Sequence, residues 1–236
     1  MKIGLEIHVA LPTKSKLFCG CSTEQVDTPN INICPICMGF PGSKPSLNEE
    51  AIILAKSIAN ILNCKIRDKI SFVRKVYFYP DLPKSFQITQ LQESIGYEGL
   101  IIIDKGKRIN IRRIQIEEDP AKIIRSEEYS LLDFNRSGIP LVEIVTEPDI
   151  TSEEELISFI FTLKARLYYL GIDIDREIKA DLNISLGKER VEVKNVTGTK
   201  NLLEAARYEI ERQTELISRG IEPTKETRSC LLYTSD

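Results

Sequence analysis

The segment Leu100-Ile101-Ile102-Ile103-Asp104-Lys105-Gly106-Lys107-Arg108-Ile109-Asn110-Ile111-Arg112-Arg113-Ile114-Gln115-Ile116 sets two isoleucine-rich runs on either side of a polar break. β-Branched side chains are stiff at χ1 and fit a pleated strand better than a helix. Asp104-Lys105-Gly106-Lys107 supplies turn chemistry, so the segment predicts an antiparallel hairpin. Working outward, the pattern stays strand-like from residue 70 to about 145, with Phe86-Gln87-Ile88 and residues 141–145 as further strands. Residues 3–9, 178–185 and 191–194 read the same way. Helical spacing appears in three places. Leu47, Ala51, Leu54, Ile58, Ile61 and Leu62 predict a helix over 46–63, with Ser46 as its expected N-cap. Thr151 or Ser152, followed by Glu153-Glu154-Glu155, opens a second helix that runs to Leu170 and stops at Gly171. A third spans 201–218 and ends before Gly220. Strands in series with grouped helices predict an α+β fold, a mostly antiparallel sheet with helices packed on it.

Composition narrows the function classes. The chain has 236 residues, 42% apolar and 28% charged, an ordinary globular balance that needs no disulfide framework. Its net charge of -3 argues against a protein that coats nucleic acid generally. Basic runs at 65–75 and 105–113 read as solvated faces on charge alone. No apolar run is long enough for a membrane helix, and Glu6 sits where a signal peptide needs apolar residues, so a cytoplasmic location is expected. His8 is the single histidine, which excludes a two-histidine zinc protease motif. Neither a P-loop nor a Rossmann glycine fingerprint occurs; Gly39-Phe40-Pro41-Gly42-Ser43-Lys44 has the wrong spacing.

Residues 13–45 form a long stretch with few periodic apolar positions, which needs a stabiliser of its own. Four cysteines provide one. Cys19-x-Cys21 and Cys34-Pro35-Ile36-Cys37 are two close thiol pairs joined by a short loop, the arrangement a tetrahedral Zn²⁺ ion requires. Four thiolates leave no open position, so such a zinc would be structural and would order the segment. Cys64 and Cys230 stand apart, consistent with a reducing compartment.

Glu6-Ile7-His8 places a carboxylate and an imidazole on one face of a strand, a half-site for a hard or borderline cation. Glu117-Glu118-Asp119 ends an apolar strand, and Glu143 lies amid β-branched residues where an unpaired carboxylate is costly. Glu143 therefore requires a basic partner or a metal. Asp181, Asn183 and Ser185 form a polar row on one strand face. Residues 74–84, with Arg74, Lys75, Lys84, three aromatics and two prolines, suit a phosphate or base contact.

Taken in order, residues 3–8 (IGLEIH), 74–90 (RKVYFYPDLPKSFQITQ), 116–120 (IEEDP), 133–149 (DFNRSGIPLVEIVTEPD), 181–185 (DLNIS), 192–195 (EVKN) and 226–228 (ETR) resemble the B subunit of aspartyl/glutamyl-tRNA amidotransferase. The resemblance implies a catalytic cradle over 1–228 with its zinc-binding segment at 13–45, and an atypical tail at 229–236. It implies ATP-dependent activation of the side-chain carboxylate of Glu-tRNA(Gln) or Asp-tRNA(Asn), then amidation by ammonia. The amidase A subunit supplies that ammonia, and a small C subunit braces the pair. Residue by residue, Glu6, His8, Glu118 and Glu143 match the family's Mg²⁺-binding set. Cys19, Cys21, Cys34 and Cys37 match a zinc site that many members carry, and Lys75, Tyr79, Lys84 and Lys194 fall at expected nucleotide or acceptor-end contacts. Phe86 replaces a common Tyr, and Asn195-Val196-Thr197-Gly198 reads like an archaeal variety. The family continues past Arg228 into helical and tail domains, whose pattern this sequence does not follow there. The alternatives are a non-catalytic, zinc-stabilised tRNA- or partner-binding fragment, and the archaeal E-type relative with the same chemistry.

Overall fold

In the computed structural model, which describes residues 1–172 and 178–229, the first strand lies in the middle of the sheet. The elements in chain order are β1 (Lys2–Ala10), α1 (Glu49–Ile61), β2 (Lys65–Ile66), β3 (Val73–Val76), β4 (Phe86–Thr89), β5 (Gly96–Ile102), β6 (Arg108–Glu118), β7 (Lys122–Arg125), β8 (Ser130–Asp133), β9 (Pro140–Thr146), α2 (Glu153–Tyr168), β10 (Lys179–Ser185), β11 (Val191–Thr197), α3 (Thr199–Ser218) and β12 (Glu226–Ser229). Eight strands form one sheet in the order β12-β11-β10-β1-β9-β6-β5-β2. Its pairs are antiparallel except β11 with β12. β3–β4 and β7–β8 are separate hairpins. The fold is α+β with a mostly antiparallel sheet, as the isoleucine-rich hairpin predicts. Of the expected tail at 229–236, Ser229 ends β12, and Cys230 and residues 231–236 lie outside the described residues. Among those described, no helix is long and apolar enough to cross a membrane.

One face of the sheet is the core. Ile3, Leu5, Ile7 and Val9 of β1 are buried with Val142 and Ile144 of β9, Ile109, Ile111, Ile114 and Ile116 of β6, and Leu182 and Ile184 of β10. α1 packs on β5 and β6, α3 on β10 and β11, and α2 on β5 and α3. Each fully buried aliphatic side chain there contributes roughly 1.5–3 kcal/mol. The buried isoleucines of β6 change parity between residues 111 and 114, where the pairing with β9 shifts register between Ile111 and Arg113. This irregularity determines which of the following residues face the core and which face away.

The helix ends follow local chemistry. Ser152 caps α2 by accepting from Glu155 N at 3.1 Å. α1 departs from expectation: its N-cap is Asn48, whose side chain accepts from Ala51 N at 3.2 Å. Ser46 instead donates its backbone N–H to Phe18 O, leaving it in the extended approach to the helix. At the other end of α2, Gly171 (φ 73°) donates to Tyr168 O, and Ile172 N donates to Leu167 O. That pair of bonds needs a left-handed residue, which glycine provides without steric cost. Segment 13–45 is anchored by Leu17, whose N–H bonds to Gly138 O while its side chain is fully buried.

Candidate functional site

The sheet face away from the helices is polar and acidic. Register sets His8 of β1 opposite Glu143 of β9, and Glu6 opposite Asp181 of β10. Gln115 of β6 lies opposite Glu143, and Glu117 follows two residues later on the same face. His8 Nε2 is 3.1 Å from Glu117 Oε1 and 3.5 Å from Glu143 Oε1. Glu117 Oε2 accepts from Thr89 Oγ1 at 3.2 Å, which ties the β3–β4 hairpin to this face. Glu143 Oε2 is buried with no hydrogen-bond donor, and Arg113 Nη2 approaches only to 4.0 Å. Burial alone would lower the His8 pKa; the hydrogen bond to Glu117 and the charges of Glu117, Glu143 and Asp181 outweigh it and raise it to about 9. Burial, with the charges of Glu117 and Glu6, holds Glu143 up to about 7.

Beside this group, ligand oxygens of Glu6, Asp181 and Glu192 all lie within 4.8 Å of one another. Lys194 Nζ sits 3.3 Å from both Asp181 Oδ2 and Glu192 Oε1. Asn183 Nδ2 donates to Glu6 Oε1 at 3.3 Å, while its own Oδ1 is buried and unpaired. The carboxylates of Glu6, Glu117, Glu143, Asp181 and Glu192 thus gather with His8, Lys194 and Arg113, while Lys179, opposite His8 in register, lies 3.8 Å from Asp119 Oδ1. This excess of oxygen ligands and negative charge suits a hard divalent cation.

The structure does not bring Glu118 to this group. Because of the register shift in β6, Gln115 and Glu117 share the acidic face while Ile114, Ile116 and Glu118 point to the other. There both Glu118 oxygens accept from Lys84 Nζ at 2.6 Å, and Ile88 N donates to Oε2 at 3.3 Å. The pair lines a cavity of about 250 Å³ with Lys16, Cys37, Arg74 and Phe86. Nor do the four expected nucleotide contacts converge. Lys194 lies on the acidic face, Lys84 is committed to Glu118, and Lys75 is exposed, 5.9 Å over the Tyr77 ring. Tyr79 Oη accepts from Arg125 Nη2 at 2.7 Å. Sequence reading did not place Glu117 or Arg113 in the site; the signal available for both was the Arg112-Arg113 doublet interrupting the alternation of isoleucines.

The four cysteines do converge. The sulfurs of Cys19, Cys21, Cys34 and Cys37 all lie within 4.8 Å of one another. Tetrahedral bonds of ~2.3 Å to a central ion place sulfurs ~3.8 Å apart, so the cluster could hold a metal such as zinc. Cys34 N donates to Cys37 Sγ at 3.2 Å. The Cys19 hydrogen bond, the Cys34 N–H and the Lys16 charge lower the Cys37 pKa to about 4 against the opposing effect of burial. Cys19, hydrogen-bonded to Cys37 and buried, is driven well above the ordinary thiol value.

A mostly antiparallel sheet with helices on one side and an acidic face on the other, together with a cluster of four cysteines, defines an α+β domain with two places suited to a metal ion. The chain belongs to the GatB/GatE catalytic domain family, which it matches over residues 1–234. It is 47% identical to the B subunit of the aspartyl/glutamyl-tRNA(Asn/Gln) amidotransferase of Methanoregula boonei, the match covering 97% of this chain and 50% of that protein. The B subunit of the same enzyme from Sulfolobus acidocaldarius is also 47% identical, over 97% of this chain and 52% of its own length. That of Brevibacillus brevis is 44% identical, with 96% and 51% covered. The chain spans about half the length of these relatives.

Proposed function

We propose that residues 1–228 form the catalytic cradle of a tRNA-dependent amidotransferase, working in the cytoplasm with an amidase A subunit and a small C subunit. The side-chain carboxylate of Glu-tRNA(Gln) or Asp-tRNA(Asn) attacks the γ-phosphorus of ATP, and the bond to the ADP oxygen breaks. Ammonia then adds to the acyl carbon, phosphate leaves with the C–O electron pair, and loss of a proton gives the amide. Phosphorylation is needed because a carboxylate oxygen is a poor leaving group.

His8, Glu117 and Glu143, with Glu6 beside them, are the residues that would hold magnesium. When bound, the ion supplies charge neutralisation for phosphoryl chemistry. Two observations support the fit: the buried Glu143 Oε2 has no donor, and beside it the ligand oxygens of Glu6, Asp181 and Glu192 lie within 4.8 Å of one another. Lys194 and Arg113 bring positive charge to the same face and would orient anionic substrate groups. Glu117, not Glu118, is assigned to the metal set because only Glu117 reaches His8. The cysteine cluster would hold a closed, structural zinc that orders 13–45. The observation that carries the reading is the His8–Glu117–Glu143 cluster, with its unpaired carboxylate oxygen, in a chain of this family.

The test mixes the chain with Mg²⁺-ATP, Glu-charged tRNA(Gln) and ammonium chloride as nitrogen donor. Coupled formation of ADP and Gln-tRNA supports the proposal and shows that residues 1–236 suffice. The same mixture is repeated with the amidase subunit and glutamine. No product in either, with charged tRNA still bound, would replace the enzyme reading with that of a binding fragment.

A further inference from the structure

Lys16 is 1% exposed and ranks among the largest fully buried side chains of the protein. Its ammonium has three partners: Asn32 O at 2.7 Å, Phe134 O at 3.3 Å and Cys37 Sγ at 3.7 Å. An ammonium has three donors, so all are used. None of these partners is a carboxylate, and among the described residues none lies within the 4.0 Å ion-pair distance of Nζ. The nearby Glu118 is taken by Lys84. A buried cation without a counter-charge is strongly destabilising, and of the three groups bonded to Lys16 Nζ only the Cys37 sulfur can carry negative charge.

The requirement runs in both directions. Four thiolates around a divalent ion carry two negative charges in excess, and in a buried setting that excess needs a cation nearby. Cys37, 4% exposed, is the sulfur that receives both the Cys34 N–H and the Lys16 ammonium. Lys16 also links the loop before Cys34, through Asn32 O, to the segment after β8, through Phe134 O. Its backbone N–H bonds to Cys21 O at 3.0 Å, so both thiol pairs are tied to one residue.

We propose that Lys16 is the outer-sphere charge partner of a tetrathiolate metal centre. It donates to the Cys37 sulfur, sets the affinity of the site for its ion, and couples metal binding to closure of the segment at Phe134. The inference rests on the metal reading of the cysteine cluster.

The experiment uses Zn²⁺ and Co²⁺ as probes on the whole chain. Zinc affinity is measured by competition with a chromophoric chelator, Co²⁺ ligation by its sulfur-to-metal charge-transfer band, and melting with and without EDTA. Lys16→Met should weaken zinc binding by about ten- to hundredfold. It should also move the Co²⁺ band to longer wavelength, because the Cys37 thiolate loses a donor. Melting in EDTA should not fall below that of the parent chain, since the buried charge is gone. Lys16→Gln, which keeps a hydrogen-bond donor without the charge, should bind as weakly as Lys16→Met. Unchanged affinity in Lys16→Met, or full affinity in Lys16→Gln, overturns the charge-partner role. So does equal destabilisation with and without metal, which would make Lys16 a structural brace only. Failure of the parent chain to bind either ion would overturn the metal reading itself, and is seen before any variant is made.

Discussion

Replacing Glu117 by Gln removes the carboxylate closest to His8 while keeping the size of the side chain and an oxygen for Thr89 to reach. In the parent chain the His8 pKa stands at about 9 against an ordinary 6.5. At 1.36 kcal/mol per pKa unit, this corresponds to roughly 3 kcal/mol in favour of the charged imidazolium in the folded state. Because the folded pKa lies above the unfolded one, that stabilisation is fully present below pH 6.5 and is lost as pH rises through about 9. Glu143, held up to about 7, behaves differently: the fold favours its protonated form, so its contribution declines as pH rises from 4.5 through about 7. In Glu117→Gln the His8 pKa should fall well below that of the parent, because burial lowers it and the hydrogen bond and charge of Glu117 are the largest effects raising it. His8 is the only histidine in the chain, so its imidazole C–H proton resonance can be followed by NMR from pH 5 to 10 without assignment, in chelator to exclude bound metal. Glu118→Gln is the control and should leave the His8 titration where it was. The reverse result, an unchanged titration in Glu117→Gln and a lowered one in Glu118→Gln, would mean that β6 is out of register by one residue. It would refute the account of the acidic face.

Glu143→Gln should keep the far-ultraviolet circular dichroism of the parent while amide formation in the ammonium chloride assay drops by about a hundredfold or more; a full rate would remove Glu143 from the metal set. Cys34→Ser should lower both zinc content, read by elemental analysis, and melting temperature, and chelator should lower the melting temperature of the parent to match. The Lys84–Glu118 pair, with side chains 12% and 5% exposed, should cost about 3–5 kcal/mol in urea unfolding when Lys84→Met leaves the buried carboxylate without its paired cation. Replacing both partners by apolar residues should cost clearly less than the sum of the two single changes, as read in a double-mutant cycle.

Much of the molecule is legible from residue spacing alone. The isoleucine runs around Asp104-Lys105-Gly106-Lys107 become β5 and β6, Ser152 and Gly171 bound α2 as local hydrogen bonding dictates, and the two thiol pairs converge on one point. These features depend on neighbours a few residues apart, or on ligand chemistry that tolerates few alternatives. The resemblance of separate motifs to one family likewise needs no coordinates.

What tertiary structure alone decided is which side chains meet. Glu117 and Glu118 are adjacent and chemically alike, yet one faces His8 and the other Lys84, because the register shift between Ile111 and Arg113 sets the parity of everything after it. Asn48 displaces Ser46 as the cap because its backbone and side chain also bond Leu17 O and Ser15 O, partners more than thirty residues away. Lys16 looks like any surface lysine in sequence and is buried against Cys37 and Phe134 in the fold. Local sequence determines strand and helix through nearby sterics and hydrogen bonds. Register, burial and the partner of each charge come from contacts distant along the chain, where a shift of one residue reverses the outcome.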